Sequence, residues 1–175
     1  MTAKTTNLKS VTGTAAKPKA AAATPVDALQ KLRIVVRAAQ RHSGWVEKQC
    51  GITGAQLWLM QELYETPGLR VGELAERLAI HQTTTSNMLN GLVGRKLLVK
   101  KRDRPDQRVV TLALTKAGMA VVTKAPKPAR GLLAEALRSM DQKRLRDLTR
   151  GLQALLEEIG NADEALGKQP FPFMM

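Results

Sequence analysis

The chain has 175 residues, of which 43% are hydrophobic, and this is enough apolar surface for one folded domain with an ordinary core. Only 3% are aromatic, so the core must rely on aliphatic side chains, which favours helices over a β-sandwich or barrel. The formal net charge of +13 predicts attraction to a polyanion, with nucleic acid as the leading class of partner.

The single cysteine, Cys50, excludes an intramolecular disulfide framework and indicates a reducing compartment. No apolar run approaches the roughly 20 residues that are needed to span a bilayer, and the N-terminus lacks the apolar core of a secretory signal. We therefore expect a cytoplasmic protein with no membrane insertion.

The first predicted elements are an N-terminal arm and a long helix. Residues 1–25 have no periodic apolar face, so burial cannot offset their chain entropy, and we expect a disordered basic arm. This arm either adds nonspecific attraction to nucleic acid or is an ordinary terminus. In residues 26–52, apolar side chains recur at helical spacing and predict an amphipathic helix.

The middle of the chain predicts three helices and a hairpin. Thr53 and Gln56 form the capping-box pattern that begins one helix, which Pro67-Gly68 ends. Further helices are predicted within residues 71–79 and 82–95, and two short helices separated by a tight turn are typical of a helix-turn-helix. Two β-branched segments around a polar loop then predict a β-hairpin, the wing, and complete a region that spans residues 53–115.

The last third of the chain, residues 116–162, is predicted to be helical. Thr115 caps a fifth helix, which Pro126 and Pro128 bend or interrupt. After Asp141, leucines at alternating steps of three and four predict a final helix with a narrow apolar seam. The seam packs either within the monomer or against a partner chain, and we favour the partner because the seam lies outside the helix-turn-helix. Residues 163–175 either dock on the body or fray.

These elements together predict a mainly α fold with a small β-hairpin wing. The fold class is a winged helix-turn-helix, flanked by N-terminal and C-terminal helices that make a dimer.

The helix predicted at 82–95 begins with three consecutive threonines, although β-branched side chains are poor helix formers. At the start of a recognition helix, hydroxyls and amides can bond base edges or phosphates. The alternative is that Thr83 only satisfies backbone groups of the first turn. The candidate DNA-contacting residues of this helix are Gln82, Thr83, Thr84, Ser86 and Asn87.

The wing is strongly basic, since residues 95–108 carry seven basic side chains and only two acidic ones. A loop with this charge repels itself unless a polyanion is near. We expect the Asp106 carboxylate to hold Arg108, whose guanidinium enters a narrow minor groove; a solvated loop without specific contacts is the alternative. The candidate DNA contacts of the wing are Lys101, Arg102, Arg104, Asp106 and Arg108.

Three segments resemble the MarR family of bacterial regulators in their order and spacing: residues 69–86, Asp106-Gln107-Arg108, and residues 114–118. The resemblance covers about residues 30–160. It implies a homodimer with intertwined terminal helices, two winged lobes on a pseudo-palindromic DNA operator, and a minor-groove contact for Arg108. We therefore expect a sequence-specific transcription regulator that acts as a repressor. The rivals are an architectural protein that coats DNA and a protein-interaction module that has lost DNA binding.

The recognition helix departs from the family's pattern. Lys96 stands where the family usually has a glycine, and Gly91 and Gly94 fall inside the helix, where each costs up to about 1 kcal/mol relative to alanine. Asn87 stands where many members carry a basic side chain, so the family's base preferences cannot be transferred to this chain.

Family members often release DNA when a small aromatic acid or phenol enters the crevice between the dimer helices and the winged lobe. By this resemblance, His42, Trp45 and Trp58 are candidate walls of the crevice, and Arg37 or Arg41 is a candidate partner for a carboxylate. The alternative is that the two tryptophans are core residues.

Other relatives sense oxidants through a cysteine in the first helix. Cys50 falls at the end of that helix, and the alternative to an oxidant sensor is an inert, buried thiol. We do not expect an enzyme, a metal site or a cofactor, because His42 and His81 lack the spacing of zinc ligands and the chain has no glycine-rich phosphate loop.

Overall fold

A computed structural model of the chain describes residues 22–102, 110–160 and 163–175. The described residues form helices around one antiparallel hairpin, with two short 3₁₀ segments, Glu164–Lys168 and Pro172–Met174, at the C-terminal end. In chain order, the elements are α1 (Pro25–Cys50), α2 (Gly54–Glu65), α3 (Val71–Leu78), α4 (Gln82–Gly94), β1 (Leu98–Arg102), β2 (Val110–Leu114), α5 (Lys116–Lys124), α6 (Leu132–Ser139) and α7 (Gln142–Ile159). The mainly α fold with a small hairpin is confirmed.

The helix boundaries follow from local capping. The Thr53 hydroxyl accepts a hydrogen bond from the Gln56 amide at 3.3 Å, and the Gln56 side chain accepts one from the Thr53 amide at 3.1 Å. This reciprocal pair confirms the predicted capping box, which satisfies two backbone donors that a helix start leaves unpaired. α1 ends at Cys50, and Gly51 caps it. The φ of Gly51 is +64°, the left-handed conformation that glycine adopts most easily.

The core lies between α2, α3, α4, the hairpin and α5, and we call this body, residues 53–124, the winged lobe. The largest of its fully buried side chains are aliphatic, as the aromatic-poor composition predicts. They are Leu57, Leu59, Met60, Leu63, Leu74, Leu89, Leu92, Leu98, Leu112 and Val122. Each contributes about 1.5–3 kcal/mol by leaving water.

The hairpin pairs Leu98 with Leu114 and Arg102 with Val110 in an antiparallel register. The segment before α3 extends the sheet, because the Gly68 amide donates to the Leu112 carbonyl and the Leu112 amide donates to the Leu69 carbonyl, both at 3.1 Å. These bonds tie the strand β2 to the segment before α3.

The terminal helices differ from the lobe. α1 buries Ala39, His42, Ser43 and Val46 in its second half, whereas the apolar side chains of its first half are exposed. α7 buries none of its residues. The apolar seam of α7 therefore does not pack within the described chain.

The prolines after α5 interrupt the helix rather than bend it. α5 ends at Lys124, and α6 begins at Leu132 after a connection that holds Pro126 and Pro128. α1 packs against α2 on one side and α6 on another.

The C-terminal tail docks on the body, which was one of its two predicted fates. The Ser43 hydroxyl on α1 donates to the Phe173 carbonyl at 2.7 Å, and the His81 amide donates to the Lys168 carbonyl at 2.9 Å. The arm was predicted at residues 1–25. Of these, residues 1–21 lie outside the described part of the chain.

Among the described residues, no helix combines the length and the apolar character that crossing a membrane requires.

Candidate nucleic-acid interface

α3 and α4 form the predicted helix-turn-helix. Their connection is three residues long, and Ala79 at its start has a φ of +54°. The Ile80 amide reaches back to the Ala75 carbonyl at 3.0 Å, which closes the turn and satisfies a carbonyl at the end of α3. The tight turn fixes α4 across α3, with His81 as the residue that precedes its first turn.

α4 has one anchored face and one solvent face. Thr85, Leu89 and Leu92 are fully buried, and the Thr85 hydroxyl donates to the His81 carbonyl at 3.1 Å. Thr85 therefore has the role that the alternative gave to Thr83, whereas Thr83 itself is exposed. On the other face Gln82, Thr83 and Asn87 are exposed, and Thr84 and Ser86 are half-buried. The five candidate residues of α4 thus keep accessible polar groups. Buried leucines on the other face of the helix anchor it in the core.

The end of α4 explains the departure at Lys96. Lys96 has a φ of +59°, its amide donates to the Val93 carbonyl at 2.9 Å, and the Leu97 amide donates to the Leu92 carbonyl at 3.0 Å. This pair of bonds is the Schellman ending, whose left-handed residue is usually glycine. Lys96 therefore occupies a glycine-type conformation at the cost of steric strain. α4 runs without interruption through Gly91 and ends at Gly94.

The wing places basic side chains beside α4. Lys100 and Lys101 on β1 are exposed, and the Lys100 ammonium donates to the Asn90 side-chain oxygen at 2.9 Å. This bond links the wing to the solvent-facing side of α4, and neither of its residues was among the predicted contacts. Arg102 ends β1 opposite Val110. The predicted contacts Arg104, Asp106 and Arg108 lie outside the described residues.

A glycine fixes the junction between the wing and α5. The Thr115 hydroxyl accepts a hydrogen bond from the Gly118 amide at 3.1 Å, which caps α5 as predicted. A Cβ atom on Gly118 would lie 2.0 Å from the Leu97 carbonyl oxygen. No side chain fits at that distance, so the close approach of α5 to the strand β1 requires glycine here.

A cavity of about 320 Å³ lies beside the lobe, between α1, α2, α6 and the C-terminal tail. Its walls are mainly apolar, and they include His42 and Trp58 of the predicted crevice. The His42 Nε2 atom lies 3.0 Å from the Pro128 carbonyl, so the imidazole acts as a donor to the backbone.

The other predicted crevice residues are not on its walls. Arg37 and Arg41 are exposed on α1. Trp45 is 50% exposed, and its ring meets the His42 ring edge-on at a centroid distance of 6.0 Å. Because α1 turns these three side chains away from α2, the structure does not bring them together with His42 and Trp58 in one pocket.

The charged residue on the cavity wall is Arg130, and it is already paired. Its Nε atom donates to the buried Glu62 carboxylate at 2.6 Å, and its guanidinium also binds Glu65. The Trp58 indole donates to the same Glu62 carboxylate at 3.0 Å. These bonds raise the pKa of Arg130, and the hydrogen bond from Arg130 lowers the pKa of Glu65. No local pattern predicted this cluster, because Arg130 lies 68 residues from Glu62 in the chain.

Cys50 is the last residue of α1 and is partly buried. Burial raises the pKa of its thiol, and the thiolate is the form that reacts with oxidants. The position therefore favours an inert thiol over the predicted alternative of an oxidant sensor.

The described residues thus define a winged helix-turn-helix protein with a polar face on its second helix and a basic hairpin beside it. Residues 51–109 match the sequence model described as "MarR family". The HTH-type transcriptional repressor MdtR of Bacillus subtilis (strain 168) is 34% identical over 73 residues, which cover 42% of this chain and 46% of that protein. The chain thus matches just under half the length of this curated relative.

Solved structures share the fold over a longer stretch. A MepR-like protein complexed with pseudoligands has a TM-score of 0.53 and 23% identity, and the likeness covers 78% of this chain and 97% of that one. The S. aureus MepR-DNA complex has a TM-score of 0.52 and 20% identity, with 78% and 96% covered. These solved structures share the winged-helix fold with this chain, and the match to the "MarR family" model covers residues 51–109.

Proposed function

We propose that this protein is a homodimeric, sequence-specific DNA-binding transcription regulator that acts as a repressor. The observation that carries the proposal is the division of α4 into two faces. Buried Leu89 and Leu92 fix the helix in the lobe, so Gln82, Thr83 and Asn87 are held outward in a defined orientation. Amide side chains on such a face can bond adenine bidentately, and a threonine methyl can contact the thymine methyl. Thr84 and Ser86 add hydroxyls at its edge.

The wing is proposed to supply affinity and register. Lys100 and Lys101 stand beside α4, where their charges can meet the phosphates that flank the groove. Arg104 and Arg108 of the connecting loop are proposed to reach the adjacent minor groove, a role that rests on the family resemblance. The net charge of +13 supports the same partner. Binding should weaken steeply with salt, with a log-log slope of about −0.9 per phosphate neutralised.

The dimer is proposed from the exposed apolar faces of the terminal helices. Val26, Leu29 and Ile34 of α1 are between 46% and 66% exposed. On α7, Leu152, Leu155 and Leu156 are each 46% exposed. A second copy would remove these side chains from water, at about 25 cal/mol for each Å² of apolar surface. Two copies related by a twofold axis would place two α4 helices on a pseudo-palindromic operator, with half-sites about 10 base pairs apart.

Two of the compared proteins support the regulator reading. MdtR of B. subtilis is named a transcriptional repressor, and S. aureus MepR has been solved in complex with DNA. Residues 51–109, which match the family model, include α4 and the strand β1. The repressor role of this chain is proposed by that analogy.

The proposal includes release of the operator by a small aromatic or phenolic ligand. The cavity beside the lobe is about 320 Å³, which is at the small end of the range for ligand sites. His42 and Trp58 line it, and Trp58 offers an aromatic wall. Because Arg130 is bonded to Glu62 and Glu65, an uncharged phenol fits this wall better than a carboxylate does.

The deciding experiment is selection of bound duplexes from a random pool. A sequence-reading dimer should enrich a near-palindrome, whereas an architectural DNA-coating protein should enrich no motif, and a pure protein-interaction module should retain no duplex. The matched variants are Gln82→Ala with Asn87→Ala on α4 and Gln153→Ala, which is exposed on α7. The α4 pair should cost about 1–3 kcal/mol per lost base contact and relax the motif, while Gln153→Ala should change neither affinity nor motif. An unchanged motif in the α4 pair would overturn the assignment of α4 as the reader.

A further inference from the structure

The C-terminal tail contacts both the start of the recognition helix α4 and the first helix α1. The proposed function needs these two helices to keep a fixed relative position. At one point the His81 amide, immediately before α4, donates to the Lys168 carbonyl at 2.9 Å. At the other the Ser43 hydroxyl on α1 donates to the Phe173 carbonyl at 2.7 Å. The tail therefore bridges from the N-terminus of the recognition helix to the first helix, with its own backbone as the acceptor at both ends.

The side chain of Met174 enters a gap between two glycines. Its methyl carbon lies 3.8 Å from the place where a Cβ on Gly54 would stand and 3.7 Å from the corresponding place on Gly131. Glycine leaves both positions empty, so the Met174 methyl group lies beside the start of α2 and beside the residue before α6. Methionine is well suited to such an irregular apolar gap, because its side chain is unbranched and flexible.

The aromatic residues of the tail complete the wall of the cavity. Phe171 and Phe173 stack with their ring centroids 5.2 Å apart, and both line the cavity opposite Trp58. Ser43 is only 5% exposed, and its hydroxyl has its described partner in the tail. Loss of the tail would leave that buried hydroxyl without this bond, which is unfavourable unless another acceptor replaces it.

We propose that the segment Gln169–Met175 is an intramolecular peptide ligand of this cavity. The site selects an apolar segment that presents a phenylalanine, a methionine and a backbone carbonyl for Ser43. Phe173 and Met174 form part of the cavity wall, so an aromatic effector that needs more room than the cavity leaves would displace the tail from the other walls. Displacing the tail removes the bond between Lys168 and His81 and so loosens the link between α1 and α4.

Peptide binding to a shortened chain tests the site directly. The protein ending at Lys168 is titrated with an acetylated peptide of residues 169–175, and binding is followed by calorimetry and tryptophan fluorescence. We expect saturable binding that is at least about tenfold tighter than to the full chain, whose own tail already covers the same surface. Met174→Ala in the peptide should weaken binding at least about fivefold, whereas Met175→Ala, at a position 65% exposed, should not. Equal binding to both proteins, or none to the shortened one, overturns the proposal.

Amide hydrogen exchange on the full chain covers the case in which the shortened protein fails to fold. Met174→Ala should accelerate exchange of the His81 amide by about tenfold, because this amide is protected by the Lys168 carbonyl, and Met175→Ala should leave it unchanged. No change in Met174→Ala contradicts the proposal.

The effect on DNA, unlike peptide binding, rests on the proposed function. The shortened chain should bind the selected operator with altered affinity, and the peptide should restore the original value. If the shortened chain binds the peptide but not DNA, the regulator proposal fails and the tail site stands. If it binds DNA but not the peptide, the tail site fails and the regulator proposal stands.

Discussion

The winged lobe and the terminal helices use their leucines in opposite ways. In the lobe, Leu89 and Leu92 of α4 are 0% exposed, so the recognition helix is held by the core of its own chain. On α7 the seam is 37% exposed at Leu148 and 61% at Ile159. One region completes its packing within a single copy, and the other presents a periodic apolar face that the described residues of its own chain do not bury.

This difference implies two kinds of stability. The lobe should unfold as one cooperative body whose stability does not depend on protein concentration. The terminal helices should gain order and stability by association, so their stability should depend on concentration. The predictions that follow separate the two.

The largest effect is expected in the core of the lobe. Leu92→Ala should lower the free energy of unfolding by about 2–5 kcal/mol, since it leaves a cavity among fully buried neighbours. Met119→Ala, at an exposed position on α5, should cost less than about 1 kcal/mol. Both are measured by urea unfolding monitored by circular dichroism. Equal costs for the two would mean that α4 is not anchored as described.

The second effect concerns the seam of α7. Replacing both Leu148 and Leu155 with aspartate should weaken self-association about 100-fold or more, because a charge cannot be buried in an apolar interface without a partner. Sedimentation velocity measures the association, and circular dichroism checks that the lobe remains folded. Gln153→Asp, on the opposite face of the same helix, is the control and should associate normally. An unaltered dimer in the double variant would remove α7 from the interface.

The third effect is a stabilisation at the end of α4. Lys96→Gly should raise the free energy of unfolding by up to about 1 kcal/mol, because glycine adopts a positive φ without the steric penalty of a side chain. Lys48→Gly in the last turn of α1 is the control, and it should lower stability by up to about 1 kcal/mol. Thermal unfolding of the two variants beside the parent gives the signs. A destabilised Lys96→Gly protein would contradict the strain at this residue.

The smallest effect is a dependence on pH. The hydrogen bond from Arg130 lowers the pKa of Glu65 below its ordinary value of 4.5. A depressed pKa adds stability that is present above the ordinary value and is lost as the pH falls through the folded value. The difference in unfolding free energy between the parent and Glu65→Gln should therefore be constant near pH 7 and shrink below about pH 4.5. Since Glu65 is 42% exposed, the difference should stay below about 1 kcal/mol.

Urea titrations at pH 7 and at pH 3.5–4.5 measure this difference. A gap that is the same at both ends of the series would exclude Glu65 as the titrating group.

Much of the interface could be predicted from the sequence because its signals are local. The capping box of Thr53 and Gln56 lies within four residues, and the leucines of α3 and α4 recur at helical spacing. Hydrogen bonding and burial at these positions depend on neighbours one turn away, which the sequence displays directly.

The crevice could not be predicted in the same way. Whether Trp45 or Trp58 faces the cavity depends on how α1 rotates against α2, and neither helix decides that alone. Arg130 likewise reaches Glu62 only because the segment after α5 folds back across α2. Such contacts join residues that are far apart in the chain, and pattern reasoning has no distance information between them.

The order of the elements, the hydroxyl-rich start of α4 and the basic wing could all be predicted from the amino-acid sequence, because capping, periodicity and charge act over a few residues. The buried threonine of α4, the binding place of the tail and the exposed apolar faces became known from the folded chain alone. Those outcomes depend on packing between distant segments: Thr85 faces the core, and the tail lies where α1, α2 and α6 meet. The exposed seam of α7 has the same physical reason, since packing within the described residues buries none of its side chains.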